Sequence, residues 1–327
     1  MKSNKRKIFD YNPENLYSNG FIILKKKKNY SRIIMRVVII FILCVMAAIV
    51  VLPVVSLKKF FDDHGKKLEL NIPEGFEGKE LTIKTNDGVN LNSCEVYTEA
   101  PYAVVVLPLC NNDISNEVYF QYAELLKESG YASFICETRE EVSLGYKEHI
   151  DVEGVIDYIH KQEKYYDTPI VVYGMSMAGP AAINAMGENK SVAGVIATGT
   201  YSSWEDNYSD YLKSKGMPSF IADMEKYVSK VCLAFKYGTD IFEKTPVKEI
   251  EKRKGRPVLL IHSNVDNKVS YDNLSRLKDA GGDIDTYTIE EEYPHIVDNN
   301  HRLVDDNSGY VGEVFKFLDK NFAAESK

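Results

Sequence analysis

The chain has 327 residues, 44% of them hydrophobic and 27% charged, which suits one large folded domain and excludes a disordered chain. Its formal charge of −8 is segregated: residues 1–59 hold 12 Lys/Arg and 2 Asp/Glu (+10), leaving 28 Lys/Arg against 46 Asp/Glu (−18) for residues 60–327. So acidic a domain argues against a nucleic-acid partner, because neutralising phosphates takes clustered Lys/Arg. The five cysteines (Cys44, Cys94, Cys110, Cys136 and Cys232) form no C-x-x-C or Cys/His metal spacing, and no metal or organic cofactor is expected.

In chain order, residues 1–32 form a basic tail, including the run Lys25–Lys28. Val37 to Leu57 carries no charge and is long enough to cross the hydrocarbon core. A secretory signal would have a shorter apolar region followed by a small-x-small cleavage site, so 33–57 reads as a transmembrane signal anchor. Lys/Arg are dense before this span and sparse after it, which predicts a plasma-membrane, single-pass chain with a cytoplasmic N-terminus and an extracytoplasmic main domain. Residues 58–77, with Gly65, Pro73 and Gly75, read as a juxtamembrane linker, and 78–324 as the folded domain.

That domain opens with two period-2 runs, Glu80–Thr85 and Val89–Tyr97, around Asn86-Asp87-Gly88, the pattern of a β-hairpin. Continuous apolar runs then predict buried strands at Ala103–Leu107, Ala132–Cys136, Ile170–Tyr173, Val192–Thr198 and Pro257–His262, with a last strand at Asp285–Ile289. Helical spacing fills the intervals at Glu117–Ser129, Asp151–Gln162, Ala181–Met186, Ser270–Ala280 and Gly309–Phe322, and a largely helical stretch covers 201–249. Alternating strands and helices predict an α/β fold: a mostly parallel central sheet with helices on both faces. In such sheets working residues lie beyond the carboxyl ends of the strands.

The sharpest motif is Gly174-Met175-Ser176-Met177-Ala178-Gly179-Pro180 at the end of the run Ile170–Tyr173. A serine on a sharp strand-to-helix turn needs small residues two before and two after it, and the following helix points its N-terminus at the hydroxyl. A serine becomes a nucleophile only when a base takes its proton and an acid fixes the tautomer of that base. Asp266 lies just past the run Pro257–His262. His262 belongs to that strand and precedes the acid, so it reads as a packed strand-end residue. Two histidines follow the last strand, His295 and His301.

From about Lys79 to Phe322 the chain resembles the α/β-hydrolase superfamily, in its esterase, lipase and serine aminopeptidase-like branch. The residues carrying the resemblance are the Thr85–Gly88 hairpin, Gly130-Tyr131 before a strand, the Ser176 elbow, Pro257–His262 leading to Asp266, and the order Ser, Asp, His. The resemblance implies an ester, thioester or amide substrate and an acyl-enzyme on Ser176, with Asp266 as the acid. The base would be His301, by its register to the closing helix, or alternatively His295. It also implies an oxyanion hole from the amides of Met177 and Cys110, a helical cap at about 201–249, and substrate contacts from Leu109, Met175 and Trp204. Where relatives commonly carry His-Gly after the third strand, this chain has Leu107-Pro108-Leu109-Cys110, a departure that keeps a non-catalytic binding or scaffold module as an alternative. An aminopeptidase would need cap acids to hold a substrate amine, and Glu205, Asp206, Asp210 and Asp223 are available.

Overall fold

The structure, a computed structural model, describes residues 30–64, 67–109, 114–290, 294–296 and 308–323. The chain divides into two units, 1–52 and 53–327. Helix α1 (Tyr30–His64) begins in the first and ends in the second. It has an 18-residue window of mean hydropathy 3.3. By length and composition it is able to cross a membrane, a criterion that an anchor and a signal sequence both meet.

In the second unit, β1 (Lys79–Lys84) and β2 (Asn90–Val96) form the expected hairpin, followed by β3 (Val104–Leu109), α2 (Asn116–Glu128), β4 (Ala132–Glu137) and α3 (Glu148–His160). Then come β5 (Ile170–Met175), α4 (Ala178–Glu188), β6 (Val192–Thr198), α5 (Trp204–Ser214), α6 (Ser219–Tyr237) and α7 (Pro246–Ile250). The last elements are β7 (Val258–Ser263), α8 (Asp272–Gly281), β8 (Asp285–Ile289) and α9 (Ser308–Phe322). The eight strands make one sheet in the order β1-β2-β4-β3-β5-β6-β7-β8. β2 is antiparallel to both β1 and β4, and every later pairing is parallel.

Alternation along each strand divides the core in two. Val171 and Tyr173 of β5 join Val118, Tyr122 and Leu126 of α2 and Val314 and Leu318 of α9. Ile170 and Val172 face the other way, onto Val152 and Val155 of α3, Ala181 and Ala185 of α4 and Leu277 of α8. Both faces are covered by helices, which is why the inner strands read as unbroken apolar runs. The strand order reverses between β3 and β5, and these two stay paired only from Val104 to Val106. Beyond Val106, β3 continues beside β4 alone, and Pro108, which has no N–H to donate, sits where no β5 partner is needed.

Of the segment expected to be a linker, 58–77, the described residues 58–64 and 67–77 include several that pack on the domain. α1 continues to His64 with Leu57 and Phe60 buried. Leu68, Leu70, Ile72 and Phe76 pack against the core, and the Leu70 amide donates to Glu137 Oε1 at 2.8 Å. The cause is composition: an apolar residue recurs often enough through 57–76 for burial to outweigh chain freedom. The range expected to form a cap, 201–249, holds α5 and α6, which pack on one another. α7, which overlaps the end of that range, is part of the core, where Ile250 packs in the α4 side of the sheet and Glu249 Cβ would lie 2.7 Å from a Cβ added at Gly187.

Candidate active site

Ser176 stands between β5 and α4 with φ +53°, in the left-handed region. A non-glycine residue there costs on the order of 1–3 kcal/mol and persists only where its surroundings enforce it. Here the Ser176 amide donates to Thr198 O of β6 at 2.8 Å, and the Gly179 amide closes the turn on Ser176 O at 3.0 Å. The small neighbours are required by space. A Cβ on Gly174 would lie 2.3 Å from Ala178 O, and one on Gly179 would lie 2.4 Å from Thr200 Oγ1. The turn therefore has the tight, strained strand-to-helix geometry that its sequence predicts.

Asp266 lies in the turn after β7, its side chain fully buried. Oδ1 accepts the amides of Lys268 and Val269, each at 2.9 Å, so the carboxylate is held by its own loop. Oδ2 faces His295 Nδ1 at 2.7 Å and His262 Nε2 at 3.3 Å. Burial pushes this carboxyl upward, but the hydrogen bonds from His262 and His295, the electrostatic attraction of His295 and the Val269 amide outweigh it and hold it well below the usual carboxylate range. His262, expected as a packed strand-end residue, is buried as expected and also serves the acid; its Nε2 lies 3.0 Å from Val269 O.

The second nitrogen of His295, Nε2, is 2.9 Å from Ser176 Oγ. A carboxylate can only accept, so Nδ1 carries the proton toward Asp266 and Nε2 is left to accept the serine hydroxyl. Ser176, His295 and Asp266 thus form one hydrogen-bonded chain drawn from the ends of β5, β7 and β8. The contact to the serine is made by His295, where the register to α9 favoured His301; His301 itself lies outside the described residues. The cause is a tether invisible in the sequence: the Asn267 amide donates to Pro294 O at 2.7 Å, tying the residue before His295 to the residue after Asp266.

Sequence reasoning missed Gly199, which follows β6. Its φ is +58°, and a Cβ there would lie 3.0 Å from Cε1 and 3.3 Å from Nδ1 of His295. The glycine lets the β6 turn approach the imidazole, and the available signal was a glycine directly after a buried strand. Of the remaining expected residues, Met177 opens α4 and is nearly buried. Leu109 and Met175 are buried strand residues. Trp204 is 3% exposed, packed in the cap cluster beside Phe242. Cys110 lies outside the described residues. Asp206 is engaged in the cap, where it accepts from Ser203 Oγ at 2.9 Å and pairs with Lys226 at 2.8 Å. Among the described residues no three His, Cys, Asp or Glu side chains are grouped to hold a metal ion.

No protein-family model and no curated protein sequence matches the chain. Solved structures do. An esterase of Pyrococcus furiosus superposes with a TM-score of 0.57 at 17% identity, covering 79% of this chain and 96% of that one. An α/β hydrolase from a Penicillium species gives 0.54 at 10% identity, covering 77% and 100%. The fold is that of the α/β-hydrolases. A dipeptidyl peptidase 4 of Porphyromonas gingivalis shares it too, with a TM-score of 0.53 at 17% identity over 75% of this chain and 35% of that one.

Proposed function

We propose that this α/β-hydrolase-fold chain is a serine esterase held at a membrane by α1, with Ser176 as nucleophile, His295 as general base and Asp266 as the acid that orients it. The observation that carries the reading is the unbroken hydrogen-bonded chain from Ser176 Oγ through His295 to the buried Asp266. In the reaction His295 Nε2 takes the Ser176 proton as Oγ attacks the substrate carbonyl. The resulting imidazolium is stabilised by Asp266 and returns its proton to the departing alcohol. Water then repeats the sequence on the acyl-enzyme. The oxyanion is assigned to the amide of Met177, at the N-terminus of α4, where free N–H groups and the helix dipole favour negative charge.

An ester is favoured over a peptide amine because the cap acids are already neutralised. Glu205 pairs with Lys230, Asp206 with Lys226, Asp210 with Arg276 and Asp223 with Lys213, at 2.8–3.1 Å. Met177 and Ala178, beside Ser176, share a buried and largely apolar cluster with Tyr201, Trp204 and Tyr208. An acyl group suits such surroundings better than a charged amine. A non-catalytic binding domain is the second reading, favoured by Pro108-Leu109-Cys110 in place of a glycine-bearing oxyanion loop.

Fluorophosphonate labelling of the full chain in detergent separates the two. An active serine labels, and Ser176→Ala abolishes the label and lowers ester turnover by on the order of 10⁶. A folded wild-type chain that fails to label supports the binding domain instead.

A further inference from the structure

The cap helix α6 is amphipathic the wrong way round. The side it buries on the domain is formed by Ala222, Glu225, Ser229, Leu233 and Tyr237, while Phe220, Met224, Tyr227, Val231 and Phe235 are exposed. Spaced i, i+4, i+7, i+11 and i+15, the exposed five lie within an arc of about 80°. Outside α1, nine large apolar side chains are exposed among the described residues, and five of the nine are on this one stripe. Scattered exposed apolar residues need no explanation, but a continuous stripe does.

What covers the stripe follows from the chain itself. The apolar run of α1 passes without a break into a segment docked on the cap. Ser56 Oγ is 2.6 Å from Tyr208 OH, the Phe60 ring packs 5.5 and 5.2 Å from Tyr208 and Tyr211, and Tyr211 OH donates to Asp63 Oδ2 at 2.7 Å. α6 joins the same junction, with Lys236 Nζ 5.3 Å from the centre of the Phe61 ring. Pro53 to Leu57, the end of the apolar run, belong to the same unit as the cap, with Val54 and Val55 exposed and Leu57 buried in the cap cluster. The stripe carries Phe220 and Phe235, of the kind that form the apolar face of an interfacial helix, and Tyr227, of the kind that settles at a membrane–water boundary. We propose that the exposed face of α6 lies in the lipid interface, as a second membrane contact that fixes the cap against the bilayer. The proposal rests on reading α1 as a membrane-inserted helix.

The test uses the full chain reconstituted in phosphatidylcholine vesicles, with or without lipids brominated near the top of the acyl chain. Tryptophan is introduced singly as Phe235→Trp or Phe220→Trp on the stripe, as Tyr166→Trp before β5 at the opposite end of the sheet, and as Phe41→Trp in α1. Emission is compared with that of wild type, whose sole tryptophan, Trp204, sets the background. Phe220, Phe235 and Tyr166 are 75%, 89% and 74% exposed, so these changes leave the domain core untouched. An interfacial helix sits ~5–10 Å into the headgroup–acyl boundary, so brominated lipid should remove about half of the added emission at 220 and 235 and almost none at 166. Unquenched stripe variants beside a quenched Phe41→Trp overturn the proposal and leave the anchor standing. Quenched stripe variants beside an unquenched Phe41→Trp show α6 meeting lipid without an inserted α1, which overturns the proposal of a second contact together with the anchor, and quenching nowhere removes both. A second copy seated on the stripe would leave Phe235→Trp unquenched and show a dimer that dilutes away, which also overturns the proposal.

Discussion

Gly199 leaves room for the His295 imidazole, as Gly174 leaves room for the Ala178 carbonyl in the turn that carries Ser176. Gly199→Ala meets two obstacles, a left-handed φ of +58° and the imidazole at 3.0 Å. The backbone term alone costs about 1–2 kcal/mol, and a displaced base loses alignment with Oγ. Turnover should therefore fall by ~10²-fold or more with circular dichroism unchanged. Retention of wild-type turnover would mean that the imidazole tolerates the shift. The identity of the base is checked by two alanine variants. His295→Ala should cost on the order of 10³-fold or more in turnover, and His301→Ala far less; the opposite ranking returns the role to His301. Asp266 adds a pH signature. Its folded pKa is depressed, so its stabilisation is complete above the unfolded value of about 3.9 and is lost as pH falls through the folded value. The stability deficit of Asp266→Asn, measured by urea unfolding, should be largest near neutral pH and shrink below about pH 4. A deficit that does not change with pH would show that the carboxylate charge is not what His262 and His295 hold.

Among elements, the end of α1 departs furthest from a linker. Phe60 is fully buried between two tyrosine rings. Removing such a ring costs about 3–5 kcal/mol, so Phe60→Ala should lower the urea midpoint of the domain clearly, whereas the same change at exposed Phe235 should not. Equal midpoints would mean that residues 57–63 dock without contributing to stability. The sheet itself was legible, because strands covered on both faces must be apolar throughout and a parallel strand needs a helix between it and the next. Ser176 and Asp266 were legible for a related reason, since each is fixed by the strand it terminates. The histidine that meets Ser176 was less so. His295 and His301 both follow β8 in the sequence, and the contact of His295 with Ser176 depends on a backbone hydrogen bond from Asn267 to Pro294 that no spacing rule reveals. The orientation of α6 was illegible as well. Its sequence carries apolar residues on both sides, and only packing decides that Leu233 goes in and Phe235 stays out.

At the scale of the whole molecule, charge and hydropathy divide the chain at nearly the same place. The +10 of residues 1–59 lies mostly before the apolar run, and the −18 of residues 60–327 lies after it. Lys/Arg flanking a span stay on the cytoplasmic side, whereas acidic residues have little influence on orientation. The proposed anchor therefore leaves Met1 inside and the esterase domain outside. A tag after Lys327 on intact cells should be removed by added protease while a tag before Met1 survives, and the protein should resist extraction by alkaline carbonate. A signal sequence predicts something different. Cleavage near the end of the apolar run would release the domain into the medium at well below the 37.1 kDa of the whole chain. It would also have to cut a helix that is continuous to His64 and packed on α5 from Ser56 onward, where a protease finds no extended site. Intact mass is thus the decisive measurement. A cell-associated chain of full mass supports the anchor, a shortened secreted one removes it, and a full-length chain with a protected C-terminal tag reverses the orientation.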